Sequence, residues 1–273
     1  VKKSIAISAL VSLIVAAHAQ AQTPESALDE IIVSATKKET NLKDTPIAIS
    51  VVSPKALEDR HVSSLLDLND GSVPGLTVAT FEARQSALTI GIRGIVPLDA
   101  NQPAREQGVG VYVDGVYFGR QHGLNASLLD LERIEVLKGP QGTLFGRNTE
   151  GGALSIVTKK PTGQFGLVAN ASLGSYGTTD VDGHLNLQEV SGLSTKLDLI
   201  YQHQDATTTN PLAGERGWGY YDRQGLRFSA RYRPFDALTV DYNFDWSNDA
   251  NTPYYSQLLN YNPLGLVVGN ATG

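Results

Sequence analysis

The chain has 273 residues, 27 of them glycine, with 7% aromatic residues, no cysteine and a formal charge of −6. The missing cysteines exclude disulfides, thiolate metal sites and a cysteine nucleophile. An acidic chain without basic runs is a poor partner for nucleic acid. Residues 1–21 read as an export signal, because Lys2 and Lys3 precede an apolar run over 5–17 and the small-x-small triplet Ala17-His18-Ala19. That run is shorter than the roughly 20 residues a membrane-spanning helix needs, so cleavage near Gln20 or Gln22 is expected instead of anchoring.

Residues 22–43 are polar apart from the patch Ile31, Ile32 and Val33. The segment reads as a solvated arm, but three adjacent β-branched residues in an arm are able to add as a strand to the sheet edge of a partner. A strand is predicted over 47–52. Ser53 and Pro54 then supply an N-cap and a first-turn proline for a short helix ending near Arg60. A second helical turn beginning at Ser63 or Ser64 carries Leu65, Leu66 and Leu68, and the glycines and proline of 69–75 break it. Strands are predicted over 76–80, 87–93, 109–113 and 116–118. The last two are joined by Asp114-Gly115, a type I′ hairpin signal, which makes Asp114 a turn former more than an acid. Between the strands at 87–93 and 109–113, residues 95–108 are polar and proline-broken, and a loop of that length in a compact domain is commonly functional or disordered.

Residues 131–160 carry the densest signal. Two β-prone runs, 133–137 and 153–158, bracket Gly139, Pro140, Gly142, Gly146, Gly151 and Gly152, so the backbone leaves and returns through tight turns. This is not a phosphate loop, since Gly146 is followed by Arg147 and Asn148 and no glycine stands five places earlier. If φ is positive at Gly142 or Gly151, a β-branched residue there is expected to impair folding.

After Pro161 the pattern changes to alternation, and a domain boundary is placed there. Phe165, Leu167, Ala169, Ala171 and Leu173 oppose Asn170 and Ser172, and Val181, Leu185 and Leu187 oppose Asp180, Asp182, His184, Asn186 and Gln188. Runs over 193–204, 226–233 and 238–247 repeat it. A period of two sustained over about ten residues suits a membrane-spanning strand, although soluble antiparallel sheets alternate too. The short turns at 189–192 and 234–237, the longer loop at 205–219, and Tyr201, Tyr220, Tyr221, Tyr232 and Trp246 near strand ends favour a transmembrane barrel. Only about five strands are visible where plugged barrels close with about 22. An open sheet edge in lipid is not viable, so the chain is expected to be the N-terminal part of a longer protein or a truncated product.

Histidines at 18, 61, 122, 184 and 203 are scattered without metal-ligand spacing, and neither a Gly-x-Ser-x-Gly nor a His-Glu-x-x-His motif occurs. Neither an enzyme nor a cofactor is expected.

The run IEVLKGPQGTLFGRNTEGGALSIVTKKP resembles the C-terminal half of the plug domain of TonB-dependent outer-membrane receptors. DEIIVSATKKE resembles their TonB box, and TIGIRGI and VYVDGVYFGR their central plug strands, all in the family's order. The resemblance implies an α+β plug domain over 44–161, followed over 162–273 by antiparallel transmembrane β-strands that begin a large barrel. It implies export to the outer membrane of a Gram-negative bacterium, contact with outer-membrane lipid, and energy-coupled uptake of a scarce ligand, most commonly a ferric siderophore. TonB would pair with Glu30, Ile31, Ile32, Val33 and Ser34. Asp99, Asn101, Arg105 and Gln107 become candidate ligand contacts. Arg93, with Gly94 after it, and Arg147 become plug arginines that pair with acids on the wall, and Asp114-Gly115 and the glycines of 139–152 hold the plug compact. The competing expectation is a non-transporting fragment acting at most as a periplasmic binding module; a passive porin is disfavoured by the folded domain ahead of the strands.

Overall fold

The computed structural model describes residues 31–62, 64–81, 83–97, 106–119, 123 and 129–256. The expected export signal, Glu30, Asp99, Asn101 and Arg105 lie outside these. Residues 33–273 form one unit, and of the unit preceding it only Ile31 and Ile32 are described.

The strands in chain order are β1 (Ile32–Val33), β2 (Thr40–Asn41), β3 (Ile49–Val52), β4 (Leu76–Phe81), β5 (Arg84–Ile92), β6 (Val109–Val113), β7 (Val116–Phe118), β8 (Leu131–Lys138) and β9 (Gly152–Thr158). Beyond these come β10 (Gly166–Leu173), β11 (Thr179–Asn186), β12 (Leu193–Gln204), β13 (Tyr221–Phe235) and β14 (Leu238–Asn251). The first group builds a five-stranded sheet in the order β3-β8-β9-β6-β7 and a separate β4-β5 pair. All pairings in the larger sheet are antiparallel except β6 with β9.

Local chemistry accounts for the elements between these strands. Ser53 accepts from the Ala56 N–H at 3.3 Å and Pro54 opens the helix Pro54–Asp59, as expected. The predicted second helical turn is a 3₁₀ segment, Leu65–Asp70, in which the Ser64 N–H donates to the Asp67 carboxylate at 2.8 Å. Leu65 and Leu68 from this segment join Val78, Ile90, Val111, Ile134, Val136, Leu154 and Ile156 in one sealed core. Asp114 and Gly115 both have positive φ, 48° and 84°, which fixes the predicted I′ turn between β6 and β7.

The glycine connection is only partly as expected. Gly139, Gly146 and Gly152 have positive φ, but Gly142 and Gly151 do not. At Gly152 a Cβ would lie 2.1 Å from the Leu137 carbonyl oxygen, so β9 starts where no side chain fits. Gly151 is crowded by Ile95 and the Gly108 carbonyl, whereas a Cβ at Gly142 meets open space. The expected penalty at Gly142 therefore has no basis, and at Gly151 it comes from crowding and not from φ.

The second group is an antiparallel meander in the order β10-β11-β12-β13-β14. The strands lengthen along the meander, from 8 residues in β10 and β11 to 15 in β13. The register aligns Leu167 with Leu185, Leu185 with Leu197, Leu197 with Phe228 and Phe228 with Phe244. One face is thus apolar across all five strands, because side chains of one parity share a face. The other face carries His184, Asp198, Arg227 and Asp245 in the same registers. Burial is inverted: Lys196 and Arg227 are 2% and 4% exposed, while Phe244 and Trp246 are each 50% exposed. On β12 and β13 the polar face lies against the first group of strands, and the apolar face is the more exposed one. The first group forms an inner domain and the second a wall beside it.

Candidate functional site

Two places join chemistry to architecture: the contact between inner domain and wall, and the seat of the arm. The contact is made by acids on the inner domain and bases on the wall. Asp114, on the β6–β7 turn, accepts from the Thr158 N–H at 3.0 Å and hydroxyl at 2.8 Å, and is paired with Arg227 of β13. Arg227 also reaches Asp245 of β14 at 3.3 Å. Asp114 is therefore both turn former and ion-pair acid.

Nearer the start of β12, Lys196 lies 2.5 Å from Asp130, which precedes β8, and 2.9 Å from Asp198. Lys159 reaches Asp130 at 2.8 Å, and His184 lies 2.9 Å from Asp198 and 3.1 Å from Asp182. Burial alone would raise the Asp130 carboxyl, but hydrogen bonds from Lys159 and Lys196 outweigh it and hold the group below the ordinary carboxylate range. Asp130, His184 and Asp198 bring three potential metal-ligand atoms together. The Lys196 ammonium already supplies the positive charge between the two carboxylates, so the cluster reads as a closed ion network.

A third attachment is made by hydrogen bonds without an ion pair between inner domain and wall. Gln85 at the start of β5 donates from its amide to the carbonyls of Tyr220 at 3.0 Å and Thr252 at 2.6 Å, and Arg223 donates to its carbonyl oxygen at 3.3 Å. The Tyr254 N–H donates to the Ala83 carbonyl at 2.8 Å. Tyr220, just before β13, and the segment after β14 thereby meet one hairpin of the inner domain.

The arm residues Val33 and Ala35 are fully buried with Tyr112, Leu137, Phe145 and Ala153. Ser34 donates from its N–H at 2.9 Å and its hydroxyl at 3.1 Å to Oε1 of Glu135 on β8. The Lys37 ammonium stands 4.1 Å from the Phe145 ring centre and 4.9 Å from that of Tyr112. Ile31 and Ile32 stand exposed. The arm expected to be solvated is thus seated from Val33 onward, because alternating small apolar residues find a satellite core.

Other expected site residues fall elsewhere. Arg147 pairs with Glu106, both exposed and both on the inner domain. Arg93, with φ of 53° beside Gly94 at 81°, is exposed and has no ion pair among the described residues. Neither meets a wall acid among the described residues. Gln107 is buried, and neither side-chain polar atom has a hydrogen-bond partner among the described residues. Pro140 sits exposed at the end of β8. Sequence reasoning missed Asp130, Lys196, Asp198 and Glu135. The available signal was charged residues on the polar parity of β12, where Lys196 and Asp198 are two apart.

Residues 41–153 match the family model of the TonB-dependent receptor plug domain. They are a TonB-dependent receptor plug. The plug-and-wall arrangement also matches the crystal structure of the ferric yersiniabactin uptake receptor FyuA from Yersinia pestis, with a TM-score of 0.61 and 28% identity over 70% of this chain and 29% of that one. The siderophore receptor PiuA from Acinetobacter baumannii shares the fold, with a TM-score of 0.65 at 20% identity over 82% of this chain and 29% of that one. Among curated relatives, the pesticin receptor of Yersinia pestis is 29% identical over 77% of this chain and 31% of its own length. The vitamin B12 transporter BtuB of Vibrio vulnificus is 25% identical over 96% of this chain and 40% of its own. The chain thus spans from 29% to 40% of the length of these relatives. The antiparallel wall beside the plug is not closed.

Proposed function

We propose that the chain is the plug and opening wall of an outer-membrane receptor that takes up a scarce ligand, with a ferric siderophore as the leading class. The observation that carries this reading is the inverted burial of the wall. An apolar face aligned over five strands and backed by buried Lys196, Asp198 and Arg227 suits lipid outside and a polar plug inside. The ligand is met by the plug loop 95–108, of which Asp99, Asn101, Arg105 and Gln107 are the proposed contacts. No ATP-binding motif is present, so energy arrives through the arm: Glu30 to Ser34 adds as a strand to TonB. Export through a signal over 1–21 and the plug boundary at Pro161 belong to the same proposal. The test is uptake of labelled ferric siderophore by cells carrying the receptor with residues 30–34 deleted. Uptake is expected to fall to background with surface binding retained; uptake indifferent to the deletion would refute energy coupling through the arm.

A further inference from the structure

Glu135 is fully buried in the middle of β8, yet its carboxylate is served from one side only. Oε1 accepts from the Ser34 N–H, the Ser34 hydroxyl and Nε of Arg133 at 2.7 Å. Oε2 is buried with no hydrogen-bond partner among the described residues. If Ser34 leaves, Arg133 alone remains on a sealed carboxylate, and a buried charge with unfilled acceptor capacity is costly until water reaches it. The neighbouring arm contacts lack this direction: Val33 and Ala35 offer apolar burial, and Lys37 a ring contact.

We infer that Glu135 is the positioning residue that holds the arm on the plug in its register, so that a strand-adding partner reaches Ser34 only when this carboxylate gives it up. The inference rests on the reading of Glu30 to Ser34 as the partner's docking strand. It has a quantitative form. The apparent affinity of such a partner is lowered by the fraction of time the arm is released, so weakening Glu135 raises that affinity without touching a residue the partner binds.

The test is hydrogen exchange of the arm peptide containing Ser34, measured on the full chain in detergent, in wild type and Glu135→Gln. Loss of the charge is expected to speed exchange roughly five- to tenfold, while β6 and β9 peptides stay protected. Unchanged arm exchange with β6 and β9 intact overturns the inference. Should Glu135→Gln unfold the plug, Ser34→Ala removes only the hydroxyl and is expected to speed arm exchange about threefold; no change there also overturns it. Binding of the purified periplasmic domain of TonB is measured in parallel. Tighter binding to Glu135→Gln by a similar factor is expected. If exchange accelerates and TonB binds neither protein, the holding role of Glu135 stands and the docking-strand reading fails.

Discussion

In the plug the sealed side chains include Ile90, Ile134 and Leu154; in the wall they include Lys196, Asp198 and Arg227, while Leu199, Phe244 and Trp246 stand exposed. Both regions use strands with a period of two, so secondary structure does not distinguish them. The difference lies in what each buries. The plug follows the ordinary logic of removing apolar surface from water, while the wall spends its buried face on charge and leaves its apolar face for another solvent. Stability in the plug therefore depends on packing volume, and attachment of plug to wall depends on paired ions.

Substitutions at the two kinds of buried site break this comparison most sharply. Arg227→Ala leaves Asp114 without its wall partner, and removing one member of a buried pair costs about 3–5 kcal/mol. A double-mutant cycle with Asp114→Ala, read by chemical denaturation, is expected to return a large coupling; additive effects would show that the pair does not join the two regions. Leu154→Ala, in the plug core, is expected to lower plug stability by about 2–5 kcal/mol through a cavity, seen as a lower denaturation midpoint.

On the bare face the expected effect depends on the solvent. Leu199→Arg is expected to cost about 2–4 kcal/mol for folding into a lipid bilayer if it lies near the midplane, with equal plug denaturation in both proteins. Gly152→Ala forces a side chain against the Leu137 carbonyl and is expected to cost at least about 1–2 kcal/mol, while Gly142→Ala is expected to leave the denaturation midpoint unchanged. The smallest effect concerns acid. Asp130 has a folded pKa below its unfolded value of about 3.9, so its contribution is fully present above that value and is lost as pH falls through the folded pKa. Asp130→Asn is expected to remove that part of the acid-induced loss of stability.

Much of this was legible along the chain, and the reason is locality. The Asp114-Gly115 turn, the Ser53-Pro54 helix start and the alternation of β12 are encoded within a few residues, and each appears where the sequence placed it. The ion pairs were not, because Asp130 and Lys196 are 66 positions apart and Asp114 and Arg227 are 113 apart. A charge on the polar parity of a strand announces which face it occupies but not its partner. Arg93 and Arg147 attracted the expectation of wall contact, yet among the described residues the polarity of that contact runs the other way, with plug acids on wall bases. Seating of the arm was equally hidden, since Val33 and Ser34 read as a strand offered to a partner until β8 supplies Glu135 and the satellite core.

The double duty of Asp114 has a consequence for assembly. A slip of one residue in the β6–β7 ladder would carry that corner about 3.3 Å along the strand and take Asp114 away from Arg227, leaving the guanidinium only Asp245 of its own sheet. The fit of stopper against stave thus depends on the register of a single hairpin.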